Sequence, residues 1–370
     1  MKLIILRNNL KNALSVVEKA IIENGNLPIL KNILLFAEKK LIISATNLEI
    51  GISHITAAKI SEPGKITIPF SALNTVITNT TNERITLQTE GETVVIKTDN
   101  YEAKIQSLPP DDFPIIPEIE DEEKKIEIKA SELKNAFSLV VGAAGVSELK
   151  PELASVMMKY ETGVIKLAAT DGFRLAEKTL LNNVFSTNYL KGFQVLIPIK
   201  TAQEILRIFL DEEIISISVD DHQIVFSSPQ TKFISRIIDG QYPDYEKIVP
   251  QQIFVDLLFD RKEFLAGIKL VSSFSGKTND IRLKIGEGGK SIEMYAANQE
   301  VGENNYIIPA KKQKGETIPQ IVFNWRYLLD GVKPFSSEMV RLGLVSEAKP
   351  AVFRPATDDS VYYIVMPIQE

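Results

Sequence analysis

Hydrophobic and polar residues alternate along this chain with two periodicities, that of a strand and that of a helix. The same succession of the two occurs three times. A run of alternating apolar residues, the pattern of a β-strand, passes directly into a stretch with the spacing of an amphipathic helix. Such segments begin at Leu3, Ile126 and Phe254. In the first of them Leu10 and Leu14 lie about one helical turn apart and therefore share a face. The pattern predicts three copies of a strand-helix unit.

Two later marks in each unit recur with nearly the same period. One is a β-rich run that ends in small or polar residues, and the other is a second strand that passes into a second helix. The equivalent positions are Thr46, Thr170 and Ala297 for the first mark, and Pro69, Pro198 and Asn324 for the second. Successive copies lie 124 to 129 residues apart, and such a constant period indicates an internal repeat.

The repeat divides the chain into six predicted helices and three domains. The helices are predicted over residues 7–23, 71–82, 130–143, 200–210, 261–272 and 325–333. Two joints separate the domains: residues 107–125, which hold four prolines and an acidic run, and residues 242–252. Proline interrupts both helix and sheet, so we interpret both segments as domain boundaries. The acidic run Glu118–Glu123 could be an interaction tail, but we interpret it as a solvated linker. We predict an α+β fold of three repeated domains, at residues 1–120, 125–247 and 252–370.

The chain has no cysteine and only two histidines, His54 and His222. Without cysteine, disulfides, thiol nucleophiles, zinc fingers and cysteine-held iron–sulfur clusters are excluded. We place both histidines on the surface and expect no metal and no cofactor. The N-terminus has four apolar residues before Arg7, fewer than the roughly 7–15 of a secretory signal, and no run approaches the roughly 18 of a membrane span. We expect a soluble, cytoplasmic protein without membrane association.

Two Gly-Lys pairs suggest nucleotide binding but lack the rest of a phosphate-loop motif. That motif needs a glycine five residues before the pair, where this chain has Lys284 and Val271. Gly286–Gly289 instead fits a hairpin turn, and Asp171–Gly172 is likewise a turn signal. No carboxylates pair at a spacing typical of an acid–base dyad. We predict that the protein is not an enzyme.

Charge is distributed unevenly between the predicted helices and the rest of the chain. The chain has 42 Lys and Arg against 48 Asp and Glu, a net charge of −6. The six predicted helices hold 11 basic and 6 acidic residues, or +5, which leaves −11 elsewhere. If these helices line one surface, that surface attracts phosphates without reading bases, and its binding falls with salt. Solvated helix faces commonly carry a basic excess too, so charge alone does not decide.

Four short motifs, taken in order, resemble those of the bacterial DNA polymerase β sliding clamp family. They are Leu27–Leu30 (LPIL), Ala169–Leu175 (ATDGFRL), Asp239–Tyr245 (DGQYPDY) and Val365–Ile368 (VMPI). Each motif is weak alone. Together with the threefold unit, the ordered set resembles the family from Met1 to Glu370 and is highly specific at this length.

The resemblance implies three repeated clamp domains in each chain and a ring made of two chains joined head to tail as a homodimer. Helices would line the hole, and antiparallel sheets would form the outer wall. Such a clamp encircles double-stranded DNA without sequence preference, is not an enzyme, and tethers the replicative DNA polymerase as a processivity factor. The clamp loader, other polymerases and repair proteins are expected to bind it through short peptide motifs.

The family's peptide pocket lies between its second and third domains, and its positions carry over residue by residue. The resemblance implies apolar and aromatic walls that anchor Leu or Phe side chains, with polar contacts from Thr170 and Arg174. The partner-peptide residues are Leu153, Thr170, Gly172, Phe173, Arg174, Leu175, Pro243, Ile248, Tyr327, Ile364, Met366, Pro367 and Ile368. An alternative for Leu175, Ile248 and Ile364 is that they belong to the core. The residues expected to face DNA are Lys11, Lys200, Arg207, Lys269 and Lys333.

Several positions depart from the family pattern. Asn24 stands where the family often has an arginine before the LPIL run, and Gln369 stands at a position that is usually arginine. Phe173 replaces a more polar residue of some members, which makes that pocket wall more apolar. The predicted helix 71–82 has no charge. These departures predict a patchier DNA-facing surface than is typical of the family.

Two other classes of function stay open at this point. A three-domain structural or carrier protein could use the same repeat for assembly and never meet DNA. A hydrolase on a repeated β-rich scaffold would need a catalytic set that the sequence lacks. The mass of the particle and a loading assay on nicked circular DNA separate the scaffold from a clamp, since a monomer that never resists sliding off circles would favour the scaffold.

Overall fold

The computed structural model describes residues 1–22, 27–119, 123–146, 149–211, 213–315, 318 and 320–369. Asn24 lies outside the described residues. The chain forms two compact units. Unit 1 comprises Met1–Ser131, Ser186–Tyr189 and Arg207–Ile237, and unit 2 comprises Glu132–Phe185, Leu190–Leu206 and Ile238–Glu370. The boundaries predicted for three domains stay a prediction.

Each predicted helical stretch holds one α-helix in the described chain, so the helices expected from the periodicity are confirmed. Their bounds are Arg7–Val17 (α1), Phe70–Asn79 (α2), Ala130–Val140 (α3), Ile199–Ile208 (α4), Arg261–Val271 (α5) and Trp325–Val332 (α6). A 3-10 turn at Glu18–Ala20 follows α1, and Ile21 then has extended backbone. The first helix therefore ends before the predicted residue 23. Leu10 and Leu14 are buried along α1, as their spacing predicts.

Strands make up most of the remaining regular structure. In chain order they are Lys2–Leu6 (β1), Asn32–Ala37 (β2), Leu41–Thr46 (β3), Ile50–Thr56 (β4), Ala58–Glu62 (β5), Gly64–Pro69 (β6), Arg84–Glu90 (β7), Thr93–Lys97 (β8), Glu102–Gln106 (β9), Ile126–Lys129 (β10), Ser155–Glu161 (β11), Val164–Thr170 (β12), Arg174–Leu181 (β13), Phe185–Thr187 (β14), Phe193–Pro198 (β15), Ile214–Val219 (β16), Gln223–Ser227 (β17), Thr231–Arg236 (β18), Val255–Asp260 (β19), Asp280–Ile285 (β20), Ser291–Asn298 (β21), Gly302–Lys314 (β22), Gln320–Asn324 (β23), Met339–Leu344 (β24), Ala351–Pro355 (β25) and Val361–Val365 (β26).

Two antiparallel sheets are built almost entirely from unit 1. One has five strands in the order β5-β1-β7-β8-β9, and the other has nine in the order β14-β10-β16-β17-β18-β4-β3-β2-β6. In the nine-stranded sheet β4 pairs with β18, a strand from much later in the chain. Their register places His54 opposite Thr231 and Ile50 opposite Ser235. Helix α1 packs against α2 and against β4.

Unit 2 contains a twelve-stranded sheet in the order β15-β11-β12-β13-β26-β25-β24-β19-β22-β21-β20-β23. Here β13 pairs antiparallel with β26, and Arg174 lies opposite Val365. This pairing is equivalent to that of β4 with β18. Ile50 lies four residues after Thr46, and Arg174 lies four residues after the equivalent Thr170. Helix α5 packs against α6 and β22. The fold is therefore α+β, with antiparallel sheets and a repeated strand-helix unit, as predicted.

The first residues of α1, α3 and α5 make the same backbone contact. Each donates its N–H to the residue just before the strand that follows the second helix of its repeat. The pairs are Arg7 with Glu83 at 2.7 Å, Ala130 with Glu213 at 2.8 Å and Arg261 with Glu338 at 2.8 Å. The repeat read from the sequence is thus reproduced at the level of single hydrogen bonds.

The side chain of Arg7 also caps the C-terminus of α2. Its Nε donates to the carbonyl of Ile77 at 2.9 Å and its Nη2 to that of Thr78 at 3.1 Å. A cation there satisfies carbonyls that the helix leaves open and complements the helix dipole.

We expect Arg7→Ala to lower the apparent free energy of unfolding in urea by about 1–2 kcal/mol, because two charge-assisted hydrogen bonds and the dipole interaction are lost. The matched control is Lys11→Ala, an exposed residue of α1, which should cost less than about 0.5 kcal/mol. Equal losses in the two variants would contradict the capping role.

Both predicted joints cover apolar surface. In the first, Ile119 is 5% exposed and packs against Val225 and Ile234. In the second, Tyr242 and Tyr245 are each 6% exposed. The joints form no α-helix or strand in their described residues, as predicted. The buried Ile119 shows that the acidic run is not solvated at that residue. Residues 120–122 of the acidic run lie outside the described chain.

The two histidines have different surroundings. His222 is exposed in the turn before β17, as predicted. His54 is half-buried, and its Nδ1 lies 2.9 Å from Thr231 Oγ1. Burial lowers the pKa of His54, which favours the neutral imidazole. His54 is thus only partly exposed, because β18 pairs alongside β4 at this point.

Candidate functional site

The Asp-Gly pair predicted as a turn connects β12 to β13 and is held by its own side chain. Asp171 Oδ1 accepts the backbone N–H of Phe173 at 2.9 Å and of Arg174 at 3.0 Å. Gly172 has a φ of +90°, which glycine adopts without strain. The Thr170 hydroxyl donates to the Arg174 carbonyl at 2.6 Å and accepts the N–H of Gly172 at 3.1 Å. That hydroxyl is thus engaged within the turn, and its contact with a peptide stays a prediction.

Arg174 joins this turn to helix α6. Its Nε donates to Asp171 Oδ2 at 2.9 Å, and its Nη1 donates to Asp330 Oδ2 at 2.6 Å. The guanidinium also lies over the ring of Tyr327, 4.4 Å from its centroid. Only 13% of the Arg174 side chain is exposed. Two carboxylates and one aromatic face therefore fix the position of this charge.

Apolar side chains flank the arginine. Phe173 is 62% exposed, and Tyr327 is half-buried. Burial and then the Asp171 carboxylate raise the pKa of Tyr327, so its hydroxyl keeps its proton at neutral pH. Leu153 is half-buried, and its carbonyl accepts the N–H of Gly145 at 2.8 Å. A Cβ on Gly145 would lie 3.5 Å from the Cβ of both Leu153 and Asp171, so Leu153 borders the same turn.

The C-terminal segment bridges the turn and the edge strand β23. The N–H of Met366 donates to the Phe173 carbonyl at 2.8 Å, and that of Ile368 donates to the Val322 carbonyl at 2.8 Å. Pro367 between them is buried, whereas Met366 and Ile368 are half-buried. The tail therefore presents two partly exposed apolar side chains next to Phe173.

Leu175 and Ile364 lie beneath this surface. They are 0% and 1% exposed and belong to a cluster that includes the two buried tyrosines of the second joint. Their burial supports the alternative that both are core residues. Ile248, the third aliphatic in question, is 47% exposed. It ends the 3-10 turn Tyr245–Ile248, and Pro243, also exposed, precedes that turn.

Two carboxylates of this region were not found from the sequence. Glu177 is 5% exposed and accepts the Tyr245 hydroxyl on Oε2 at 2.6 Å. Burial and then this hydrogen bond raise the pKa of Tyr245, so the tyrosine holds its proton in the bond. Asp330 is the other, on α6. Their partners lie 68 and 156 residues away along the chain, and no local signal marks such pairs.

The residues expected to face DNA all lie on or next to helices. Lys11 is on α1, Lys200 and Arg207 are on α4, Lys269 is on α5, and Lys333 directly follows α6. All five are exposed. Within the described chain the four lysines form no ion pair. The six helices as observed hold 9 basic and 4 acidic residues, so the net +5 predicted for the helices is retained.

Metal ligands and membrane-spanning helices were also sought in the structure. Within the described ranges, no three His, Asp or Glu side chains are grouped so that they could hold a metal ion. Among the helices there, none is long and apolar enough to cross a membrane.

Three family models of the DNA polymerase III beta subunit match successive parts of the chain. The N-terminal domain matches residues 1–117, the central domain residues 127–244 and the C-terminal domain residues 246–369. Among curated proteins, the beta sliding clamp of Synechococcus elongatus is 30% identical, over 100% of this chain and 99% of that protein. The beta sliding clamp of Staphylococcus aureus strain Mu50 is 28% identical, over 95% of this chain and 94% of the relative.

Solved structures give the same result. The DNA polymerase III subunit beta of Pseudomonas aeruginosa matches with a TM-score of 0.93 and 26% identity, over 100% of both chains. The DNA polymerase sliding clamp of Bacillus subtilis matches with a TM-score of 0.93 and 25% identity, over 100% of this chain and 99% of that one. The similarity therefore extends over the whole length in both sequence and fold.

Proposed function

The chain belongs to the β sliding clamp family, the β subunit of DNA polymerase III, and we propose that two copies close head to tail into a ring around duplex DNA. The protein is a sliding clamp and not an enzyme. Its partners are DNA and a DNA polymerase. We propose further that it acts in the cytoplasm and moves along DNA without reading bases.

The free strand edges carry the proposal of a closed ring. β4 pairs with β18 in unit 1, and β13 pairs with β26 in unit 2. By the repeat, β4 and β13 are equivalent to the first half of β22, and β18 and β26 are equivalent to β9. In the described chain β9 ends its sheet, and residues 302–309 of β22 pair only with β21. Joining β9 of one copy to β22 of the next would leave neither edge unpaired.

A recurring backbone hydrogen bond predicts the register between copies. In both pairings, the residue at the end of β18 or directly after β26 donates its N–H to the carbonyl of the residue just before β4 or β13. The bonds join Arg236 to Glu49 at 2.9 Å and Met366 to Phe173 at 2.8 Å. By the repeat, the third donor is Gln106, and we propose that it binds the carbonyl of Glu300 of the partner subunit.

Exposed apolar side chains near both edges support their coverage by a second copy. Large apolar residues are rarely exposed in groups unless a partner covers them. Those near the two edges are Tyr101 at 46%, Leu108 at 36%, Leu270 at 53%, Val301 at 58% and Ile307 at 59% exposure. Leu270 belongs with β22, because its carbonyl accepts the side-chain amide of Asn304 at 3.4 Å.

The charge on the helices suits a clamp that holds DNA by enclosure. Tight binding to phosphates would stop sliding, whereas a net +5 against −11 elsewhere attracts the duplex only weakly. We propose Lys11, Lys200, Arg207, Lys269 and Lys333 as phosphate contacts. Each such contact makes binding weaker as salt rises, because the counterions released from DNA gain less entropy when the bulk salt concentration is high.

Retention on circular DNA tests this function. The clamp is loaded by a clamp loader onto nicked circular DNA and washed in about 1 M salt, where the Debye length is about 3 Å. We expect the clamp to stay on circles and to be lost when the circle is cut, since a closed ring is held topologically. Equal loss from circles and from linear DNA would reject the ring.

We propose that the site around Arg174 binds short peptides of the replicative polymerase, the clamp loader, other polymerases and repair proteins. Partly exposed Phe173, Tyr327 and Met366 supply apolar contacts of the kind that anchor peptide side chains. The rigid arrangement of Arg174 keeps these contacts in place without a ligand. Such a preformed surface lowers the conformational cost of binding.

A further inference from the structure

Three basic residues lie in one row across the sheet of unit 2. The register of β22, β19, β24 and β25 places Lys311 opposite Leu258, Leu258 opposite Arg341, and Arg341 opposite Arg354. Residues directly opposite in antiparallel strands lie on the same face of the sheet. Neighbouring strands are about 5 Å apart, so the row spans roughly 14 Å.

Arg341 and Arg354 carry like charges and lie directly opposite each other on β24 and β25. Such a pair destabilises a sheet. Arg341 is compensated, because its Nη2 donates to Asp256 Oδ2 at 2.6 Å. Arg354 is half-buried and lies over the ring of Tyr362, 5.0 Å from its centroid. Within the described residues Arg354 has no ion-pair partner. It is therefore available to an external anion.

A small cavity lies between these residues. Its volume is about 150 Å³, and its lining includes both arginines, the carboxylates of Asp256 and Asp359, and the apolar residues Ile253 and Val352. Asp256 Oδ1 is buried there and accepts no hydrogen bond from the part of the chain that the structure describes. The cavity thus offers guanidinium donors for an anion and, at Asp256, a carboxylate oxygen that can accept an N–H group; Asp359 adds a second carboxylate to the lining.

This chemistry favours an acidic peptide over a nucleic acid. A carboxylate side chain can take the guanidinium of Arg354 while a neighbouring peptide N–H donates to Asp256. A phosphodiester group has no N–H or O–H with which to donate to Asp256. The geometry therefore fits Asp or Glu within a polypeptide.

The cavity is continuous with the proposed peptide site. Val352 pairs with Ile364 and belongs to the same buried cluster as Ile364 and Leu175. Ile253 packs against that cluster as well. Val352 and Ile253 therefore belong both to the cavity lining and to the cluster that lies beneath the proposed peptide site.

We propose that Arg354, assisted by Arg341, binds an acidic residue that flanks the apolar motif of a partner peptide. The proposal rests on the peptide site around Arg174. Arg354 would then determine which partners bind best, because only those with a carboxylate at the correct spacing gain this contact.

The test uses labelled peptides with a Leu-Leu-Phe core and either three glutamates or three glutamines, placed before or after the core. Affinity is measured by fluorescence anisotropy with the full-length protein at low salt. We expect the glutamate peptide to bind the unmodified protein about 5- to 10-fold more tightly in one of the two placements. Arg354→Gln should remove that advantage and leave the glutamine peptide unaffected. The matched control Lys349→Gln, an exposed residue that forms no ion pair with any described residue, should keep it.

Other outcomes would overturn the proposal in distinguishable ways. An equal loss for both peptides in Arg354→Gln would mean that the residue only supports the fold. If a single-stranded oligonucleotide binds the unmodified protein more tightly than the glutamate peptide and loses this binding in Arg354→Gln, the row is a nucleic-acid surface. Failure of the glutamine peptide to bind the unmodified protein would instead reject the peptide site itself.

Discussion

Replacing Lys104 with proline should convert a particle of two chains into single chains of 41.3 kDa. Ser107 donates its N–H to Glu92 on the β8 side, and donors alternate sides along a strand, so the N–H groups of Gln106 and Lys104 point away from β8. Proline at 104 removes an outward donor without breaking the β8–β9 hairpin, and it blocks the edge sterically. Sedimentation velocity at micromolar protein measures the result.

The matched variant Lys104→Ala separates backbone from side chain. It keeps the outward N–H and loses only an exposed ion pair with Glu90, which contributes little, so we expect it to remain a dimer. Lys104→Pro should also abolish retention on circular DNA, because an open chain cannot be held topologically. A proline variant that stays dimeric would show that β9 is not the closing edge.

The helices and the repeat could be predicted because their signals are local. Leu10 and Leu14 lie within one turn of α1, and the turn at Gly172 is encoded by two adjacent residues. The ends of helices are less certain: after Val17 the chain tightens into a 3-10 turn, and nothing in the apolar spacing announces that change. Apolar periodicity records which face is buried, not where the hydrogen-bond pattern stops.

The contacts that shape the site could not be predicted, because they join distant parts of the chain. Alternation along β13 places Glu177 on the same face as Leu175, but it does not reveal that Tyr245 folds back over that face. The prolines near Tyr245 predict a joint between domains. They do not predict that this joint packs over one face of the sheet. The same holds for Asp330. From the sequence it is one acidic residue on a predicted helix, and only the fold places it beside Arg174.

The carry-over from the family is uneven for the same reason. It names Leu175 and Ile364 together with Phe173, although the first two are buried beneath the surface and Phe173 stands out from it. The resemblance identifies which positions of this chain correspond to the family's site, but it does not show how exposed each side chain is. The buried members are expected to act by supporting the exposed ones, so their substitution should affect stability as well as peptide affinity.

Arg174→Ala should weaken peptide binding about 10- to 100-fold. Removal of the guanidinium leaves Asp171 and Asp330 without their counter-ion and takes away the charge over the Tyr327 ring. The turn and Tyr327 would then lose the group that holds them in position for the peptide, and a 10- to 100-fold loss corresponds to about 1.4–2.8 kcal/mol of binding free energy. Fluorescence anisotropy of a labelled partner peptide measures the binding.

Removal of residues 366–370 tests the other wall of the same site. The deletion takes away Met366 and Ile368 together with their backbone bonds to Phe173 and Val322, so peptide affinity should fall at least as far as in Arg174→Ala. Both variants should remain dimers, because the proposed ring edges at β9 and β22 are untouched. Lys262→Ala, an exposed basic residue of α5, is the control and should bind normally. Unchanged peptide affinity in both variants would place the partner site elsewhere, since neither wall of this one would then matter.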